Sequence, residues 1–263
     1  MVKDEMLNLP HSIYQMRDKV DEICIVDTGS TDGTKQYSKA VADRYSNFKW
    51  CDDFSAARNA SLDLATGDWI LVLDPDEYIE DDFRALIESG VPEEFEGFMF
   101  SINNFLRDPR WELNPPVLYG NSIRLFKNKY RYDGIVHNKL KLDNFYDASE
   151  HIRVINFQFM ERYKIEWKCE QNKRLMDKKI AAQGWTFMNA MHYADIFRKR
   201  WTWVRDINDA YQTIKYLGKA LSLADEKTDF VLVEKCRQTM QLLYKEIGNE
   251  SNKVIQERIS STG

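Results

Sequence analysis

The sequence predicts an α/β fold, with a mainly parallel sheet flanked by helices and a helical C-terminal extension. Two observations lead there. From Glu22 to Phe105, short apolar β-branched runs alternate with helix-like segments. That βαβαβαβ rhythm implies parallel strands joined by right-handed crossovers. From Lys164 onward the strand-like runs stop and helical periodicity takes over. The expected organisation is an α/β domain over residues 1–160 and a helical domain over 161–263.

The elements follow in order. Glu22 to Val26 is a β-branched run that stops at Asp27-Thr28-Gly29-Ser30. Thr31 to Tyr45 reads as a helix and Asn47 to Cys51 as a second strand. Ser55 to Ala65 is a helix ending at Gly67. Trp69 to Leu73 is continuously apolar, as a strand covered on both faces must be. Asp81 to Ser89 is helical, and Gly97 to Phe105 is another strand. Arg107 to Asp147 is irregular and rich in Pro and Gly, the composition of a binding loop, with a short strand at Ile123 to Phe126. Ile152 to Phe159 is the last strand. Helices then cover Lys164 to Ala182, Thr186 to Arg198, Asp206 to Ala224 and Asp229 to Ile247, with fraying beyond Asn249. The last two suggest one helical hairpin, with a faint tetratricopeptide-like pattern of small and aromatic residues (Ala210, Tyr211, Leu217, Ala220).

Bulk composition narrows the function. With 43% hydrophobic and 30% charged residues, a packed core is feasible. A net charge of −5 gives no general pull toward nucleic acid or anionic lipid. Cys24, Cys51, Cys169 and Cys236 form no C-x-x-C pair, which argues against a zinc site. Reduced thiols and a cytoplasmic location are expected, or a peripheral position at a membrane surface. No signal peptide or transmembrane segment is expected.

Asp27 and Asp74 both fall just past the ends of apolar strands, where open α/β sheets bind ligands. Leu73-Asp74-Pro75-Asp76-Glu77 crowds three carboxylates at one strand end. Like charges that close repel unless a cation sits among them, and Mg²⁺ or Mn²⁺ suits oxygen ligands. A solvated acidic turn is an equally good reading of that segment alone. Ile25-Val26-Asp27-Thr28-Gly29-Ser30-Thr31-Asp32-Gly33-Thr34 has two glycines that permit positive φ and several helix-capping residues. It reads as a ligand loop, or as an ordinary strand-to-helix turn. Trp50-Cys51-Asp52-Asp53-Phe54-Ser55-Ala56-Ala57-Arg58-Asn59 puts Arg58 one turn into a helix near the same sheet edge. Its planar fork would clamp a phosphate or a base, although a lone helical Arg is more often a surface residue.

In their order and spacing, these three motifs resemble the family 2 glycosyltransferases of the GT-A, Rossmann-like fold. The similarity extends to Met1 to Leu9, Arg124-Leu125-Phe126-Lys127-Asn128 and Gly134-Ile135-Val136-His137. It is greatest to the branch with lipopolysaccharide-type β-glucosyltransferases and peptide S-glycosyltransferases. The resemblance implies a nucleotide-sugar donor, expected to be a UDP-sugar, and a DxD-type metal site. Asp27 would read the nucleobase, with Thr28, Gly29 and Asp32 in the same loop. Arg58 would approach the base or diphosphate. Asp74 would serve the ribose and metal shell, and Asp76 would be the direct metal ligand. His137 would face the site as a metal or diphosphate contact. The chain departs from the family in starting near the end of the first strand, and in placing Asn138 where a glutamate often follows the histidine.

The expected chemistry is inverting hexosyl transfer, with Asp133 or His137 as general base. A saccharide is the expected acceptor, with a peptide or modified nucleic acid as alternatives. Trp111, Tyr119, Trp185, Trp201 and Trp203 are candidate stacking residues, though more naturally core or interface ones. Phe197 to Trp203 is basic and aromatic, fit for a phosphorylated acceptor or a membrane surface, or simply a solvated helix end. Homo-oligomerisation through the helical C-terminus is a further expectation. A degenerate nucleotide-sugar-binding module and a nucleotidyltransferase are the rival readings. The second lacks its usual basic Gly-rich phosphate loop.

Overall fold

The computed structural model describes residues 1–88, 94–105, 117–156, 162–204 and 206–260. The chain divides into two compact units, Met1–Met160 and Glu161–Gly263.

The first unit opens with helix α1 (Leu9–Met16), which the sequence reading did not foresee. Pro10 lies in its first turn, where the missing N–H costs nothing, and Leu9, Ser12 and Met16 form its buried face. Strand β1 (Cys24–Asp27) leads through α2 (Thr34–Val41) to β2 (Arg44–Asn47), and β1 and β2 pair in parallel as expected. The crossover helix is shorter than the expected Thr31 to Tyr45. Asp43 takes over from the helix: its carboxylate accepts the Ile23 N–H at 2.8 Å and its own N–H donates to the Ile23 carbonyl at 3.0 Å. That exchange pulls the chain out at Ala42 and starts β2 at Arg44, before the expected Asn47. Val2 adds one parallel bridge on the other side of β1, at Asp27.

Helix α3 (Phe54–Leu62) precedes β3 (Trp69–Leu71), β4 (Glu77–Ile79), the short helix α4 (Ala85–Glu88), β5 (Gly97–Phe105) and β6 (Val117–Lys127). After these come β7 (Tyr132–Asp133), β8 (Lys139–Leu140), β9 (Tyr146–Asp147) and β10 (Arg153–Asn156). Six of these strands form one sheet in the order β3-β6-β5-β10-β4, with β9 alongside β5. Here the expectation of a mainly parallel sheet needs correcting. β5 pairs in parallel with β10 and β9, but β3–β6, β5–β6 and β10–β4 are antiparallel. The cause is the segment read as an irregular loop. Much of it is β6, a long strand containing β-branched and aromatic residues that runs antiparallel to β5. Met16, Ile79, Phe98, Phe100, Leu125 and Val154 pack into the core on this sheet.

The second unit is helical: α5 (Arg162–Gln183), α6 (Phe187–Val204), α7 (Ile207–Ser222) and α8 (Phe230–Ser260). α8 runs to Ser260, past the point where fraying was expected. Trp201 is 3% exposed, and its indole N–H donates to Glu246 at 2.8 Å. Trp185 stacks on Tyr216 with centroids 5.7 Å apart. Both are packing residues, not sugar platforms. Trp111 and the side chains of Tyr119 and Trp203 lie outside the described residues. The basic run is largely neutralised within its unit: Arg198 and Lys199 pair with Asp195, and Arg200 approaches Asp209 at 3.5 Å. No described helix is long and apolar enough to cross a membrane.

Gly97 opens β5 where space is tightest. A Cβ there would sit 2.7 Å from Leu142 Cδ1, 3.1 Å from the Leu125 carbonyl and 3.2 Å from Phe126 Cβ. Gly97→Ala is expected to destabilise the protein by about 1–3 kcal/mol through overpacking. Denaturant unfolding of the two proteins side by side measures it, and an unchanged midpoint would refute the crowding.

Candidate functional site

Asp27 ends β1 with 1% of its surface exposed. One carboxylate oxygen, Oδ1, accepts the N–H groups of Gly29 at 2.9 Å and Ser30 at 3.0 Å. The other, Oδ2, is buried and has no hydrogen-bond partner among the described residues. A buried acceptor left open in this way costs free energy until a donor fills it. Gly29 takes φ +111°, and a Cβ on it would meet nothing within 4 Å. The loop is therefore held by Asp27 from below and open above.

The neighbours in that loop have local duties. The Thr28 hydroxyl donates to the Val2 carbonyl at 3.1 Å. Asp32 accepts from the Thr34 N–H at 3.0 Å and hydroxyl at 2.6 Å through one oxygen, and from the Met6 N–H at 3.1 Å through the other. Those bonds hold its carboxyl below the usual range although burial works against them. Asp32, expected to bind the nucleotide-sugar, stands just before Gly33, the N-cap of α2, and ties the start of that helix to Met6.

Arg58 is set by α3. Asp53 caps the helix, accepting the Ala56 N–H at 3.0 Å, and the opposite side is stitched to the chain around β7. Ser55 Oγ donates to the Gly134 carbonyl at 2.7 Å and the Phe54 N–H to the Ile135 carbonyl at 3.0 Å. Asn59 exchanges two bonds with the Tyr132 backbone, at 2.8 and 3.0 Å. The Arg58 guanidinium lies 5.2 Å from the centre of the Tyr132 ring and pairs with Asp74 Oδ1 at 3.1 Å, while its buried Nε has no hydrogen-bond partner among the described residues. Burial works against the Arg58 charge, but Asp74 and Tyr132 outweigh it and raise its pKa.

Asp74 lies just past β3. Burial pushes its carboxyl up, but Arg58, Arg124 and the Met1 amino group prevail and bring it down to about 2. Its side chain still has 40% of its surface open to solvent, against 14% for Arg58. The pair is partly open to solvent, and its strength is screened accordingly. Val2 bridges Asp27 while the Met1 amino group sits in the field of Arg58 and Asp74, so the two strand ends face one neighbourhood.

Glu77 is the surprise of the acidic turn. It is 2% exposed and bonded to Arg124 Nη2 at 2.7 Å. Burial and the Asp74 carboxylate push its carboxyl up, against the pull of Arg124. Sequence reading counted Glu77 among clustered charges awaiting a cation, whereas its counter-ion is already present. Arg124 and Tyr132 had no assigned role, and no spacing signal connects either to the acidic turn.

The expected metal set does not assemble as a cage. Among the described residues, no three His, Cys, Asp or Glu side chains converge to hold an ion. Asp76 is 4% exposed, Asp74 leans on Arg58, and His137 sits at φ 51° in the loop docked on α3. The acidic turn still offers hard oxygen donors, one of them open. That suits a cation that draws most of its ligands from diphosphate and water. Asp133, the other base candidate, is tied to Lys141 at 2.8 Å on an exposed hairpin.

Residues 3–164 match the family model described as Glycosyl transferase family 2. A TPR repeat-containing protein of Synechococcus elongatus is 47% identical over 77 residues, which is 29% of this chain and 19% of that protein. The SPbeta prophage-derived glycosyltransferase SunS of Bacillus subtilis is 30% identical over 146 residues, 53% of this chain and 33% of SunS. The chain thus spans a third or less of the length of these relatives. The solved mannosyltransferase PcManGT from Pyrobaculum calidifontis, in complex with GDP-Man and Mn²⁺, aligns with a TM-score of 0.43 at 10% identity, covering 96% of this chain and 85% of its own.

The depressed Asp74 carboxyl has a consequence for stability. A carboxylate whose native pKa is about 2 against an ordinary 3.8 stabilises the fold above the higher value and loses that effect as pH falls between them. In metal-free protein, Asp74→Asn is expected to flatten the acid limb of the melting-temperature profile between pH 4 and 2. Parallel profiles for the two proteins would contradict the pairing.

Proposed function

The chain belongs to glycosyl transferase family 2, with the α/β fold of the GT-A class, and from that premise we propose that it transfers a sugar from a nucleoside-diphosphate donor to an acceptor nucleophile. The observation that carries this reading is the open pair of Arg58 and Asp74 beside the buried, unpartnered oxygen of Asp27. A nucleotide needs both kinds of group. The buried Asp27 Oδ2 is suited to accept an N–H from the base, and the open space above Gly29 would admit the base close to the backbone. The Arg58 guanidinium donates to the diphosphate and neutralises charge that grows as the leaving group departs. Asp74 and Tyr132 hold Arg58 in one orientation, so little ordering remains to be done when the donor arrives.

A bound Mn²⁺ or Mg²⁺ would supply Lewis-acid assistance to the departing diphosphate, with Asp74 and Asp76 as the protein's donors. UDP is the expected nucleotide, and inversion at the anomeric carbon the expected outcome. Of the two base candidates, Asp133 is the weaker. Lys141 holds its carboxyl below the usual range, and a lower pKa makes a poorer proton acceptor. His137 is the better one, carried on the same loop that docks on α3. A saccharide remains the acceptor class in this reading.

Titration calorimetry with a panel of nucleotide-sugars, with and without Mn²⁺, tests donor binding, and free nucleoside diphosphate as product separates transfer from nucleotidyl chemistry. Asp76→Asn is expected to lower both donor hydrolysis and transfer by about 10²-fold or more, as loss of a charge-stabilising group does. Unchanged metal-dependent turnover would remove Asp76 from the site.

A further inference from the structure

Glu77 sits where three strands meet, and each of its polar groups is engaged. Its N–H donates to the Asp74 carbonyl at 3.0 Å. Its Oε2 accepts the Asp74 N–H at 2.9 Å, closing the Asp74 to Glu77 turn from both ends. Its Oε1 accepts from Arg124 Nη2 at 2.7 Å and from Asn156 Nδ2 at 3.4 Å. Its carbonyl accepts the Ser12 hydroxyl at 2.6 Å, which anchors the turn to α1. Arg124 comes from β6, and its own carbonyl accepts the Val72 N–H at 2.8 Å. One residue of β6 therefore grips the chain on both sides of Asp74: by backbone at Val72 and by side chain at Glu77. The pair is deeply buried, with side chains 10% and 2% exposed.

We propose that Arg124 and Glu77 are positioning residues for donor binding, acting as a buried clamp that fixes the Asp74 backbone so that the open carboxylate and Arg58 meet the diphosphate side of the donor. The proposal rests on the reading of Asp74 as a donor-site residue given above. A turn of this acidity tends to spread by mutual repulsion, because Asp74, Asp76 and Glu77 lie within four residues. The clamp opposes that spread by giving one of the charges a buried counter-ion and using the same carboxylate to hold the Asp74 amide. Stability alone does not require a charged pair here, since apolar residues of similar volume often serve a core as well. What matters is the side-chain oxygen that reaches the Asp74 N–H, which an apolar residue cannot supply.

That distinction gives the test. Glu77→Leu with Arg124→Met removes the charge and the acceptor together while filling the space. Glu77→Gln with Arg124→Met removes the charge but leaves an amide oxygen for the Asp74 N–H. Melting temperature, exchange protection of the Asp74 amide by NMR, and calorimetric binding of UDP and GDP with Mn²⁺ are measured for both and for the wild type. The Leu/Met protein is expected to fold, to lose protection at Asp74, and to bind nucleoside diphosphate about 10-fold or more weakly, the usual effect of losing a group that orients a ligand. The Gln/Met protein is expected to regain protection and to bind within about 3-fold of wild type, well short of a tenfold change. Wild-type protection and binding in the Leu/Met protein would overturn the clamp. Should that variant not fold, failure of the Gln/Met protein to outperform Arg124→Met alone would overturn it instead. If wild-type protein binds neither nucleotide, the donor-site reading fails, and Asp74 amide protection in metal-free protein still decides whether Glu77 and Arg124 hold the turn.

Discussion

Asp74 and Glu77 place two carboxylates at one strand end, and the first unit is arranged to tolerate them. Arg58 reaches Asp74 from α3, and Arg124 reaches Glu77 from β6. The two pairs are unequal. Arg58 and Asp74 are partly open to solvent, so their attraction is screened. Arg124 and Glu77 are sealed, and removing either partner would leave an isolated buried charge at a cost of about 3–5 kcal/mol. One pair is thus available for chemistry because the other is not.

The rest of the fold follows from putting those four residues in place. Arg124 can reach Glu77 only because β6 returns antiparallel along both β3 and β5. Glu77 is presented by β4, whose partner β10 contributes Asn156 opposite it. Arg58 depends on α3 lying against the chain from Tyr132 to Ile135, where four hydrogen bonds fix it. The mixed sheet is therefore a requirement of the site. A sheet with only parallel crossovers would bring strand ends together, but it would not bring a strand interior such as Arg124 under the turn.

This explains what could be read from the sequence. Asp27, Arg58 and Asp74 were legible because strand-end position, loop composition and helix register are local properties that show in short windows. The helical unit was legible for the same reason, down to the start of each helix. Glu77's partnership was not, since Arg124 is 47 residues away and nothing in the spacing connects them. Asp32 carries both signals, because Asp, Ser and Thr serve equally as local turn-formers and as ligand contacts, and its bonds to Thr34 and Met6 could not be read from the sequence. The start of β2 was misplaced because Asp43 competes for the helix end through a contact with Ile23, again a distant residue.

Asp27 adds a last constraint on what the site accepts. Its two oxygens differ in kind: one is saturated by the loop's own amides, the other is buried and open. A cation with oxygen ligands would favour carboxylates that reach solvent, as Asp74 does and Asp27 does not. A polar N–H on a flat ring is the better match for a single buried acceptor beside a glycine that leaves its backbone uncovered, because it supplies a donor without carrying a charge into the pocket. In the proposed reading, charge handling and base reading are separated between two strand ends, one partly exposed and one buried. The two ends are held in one neighbourhood by the Met1–Val2 segment, which bridges Asp27 on one side and lies in the field of Asp74 and Arg58 on the other.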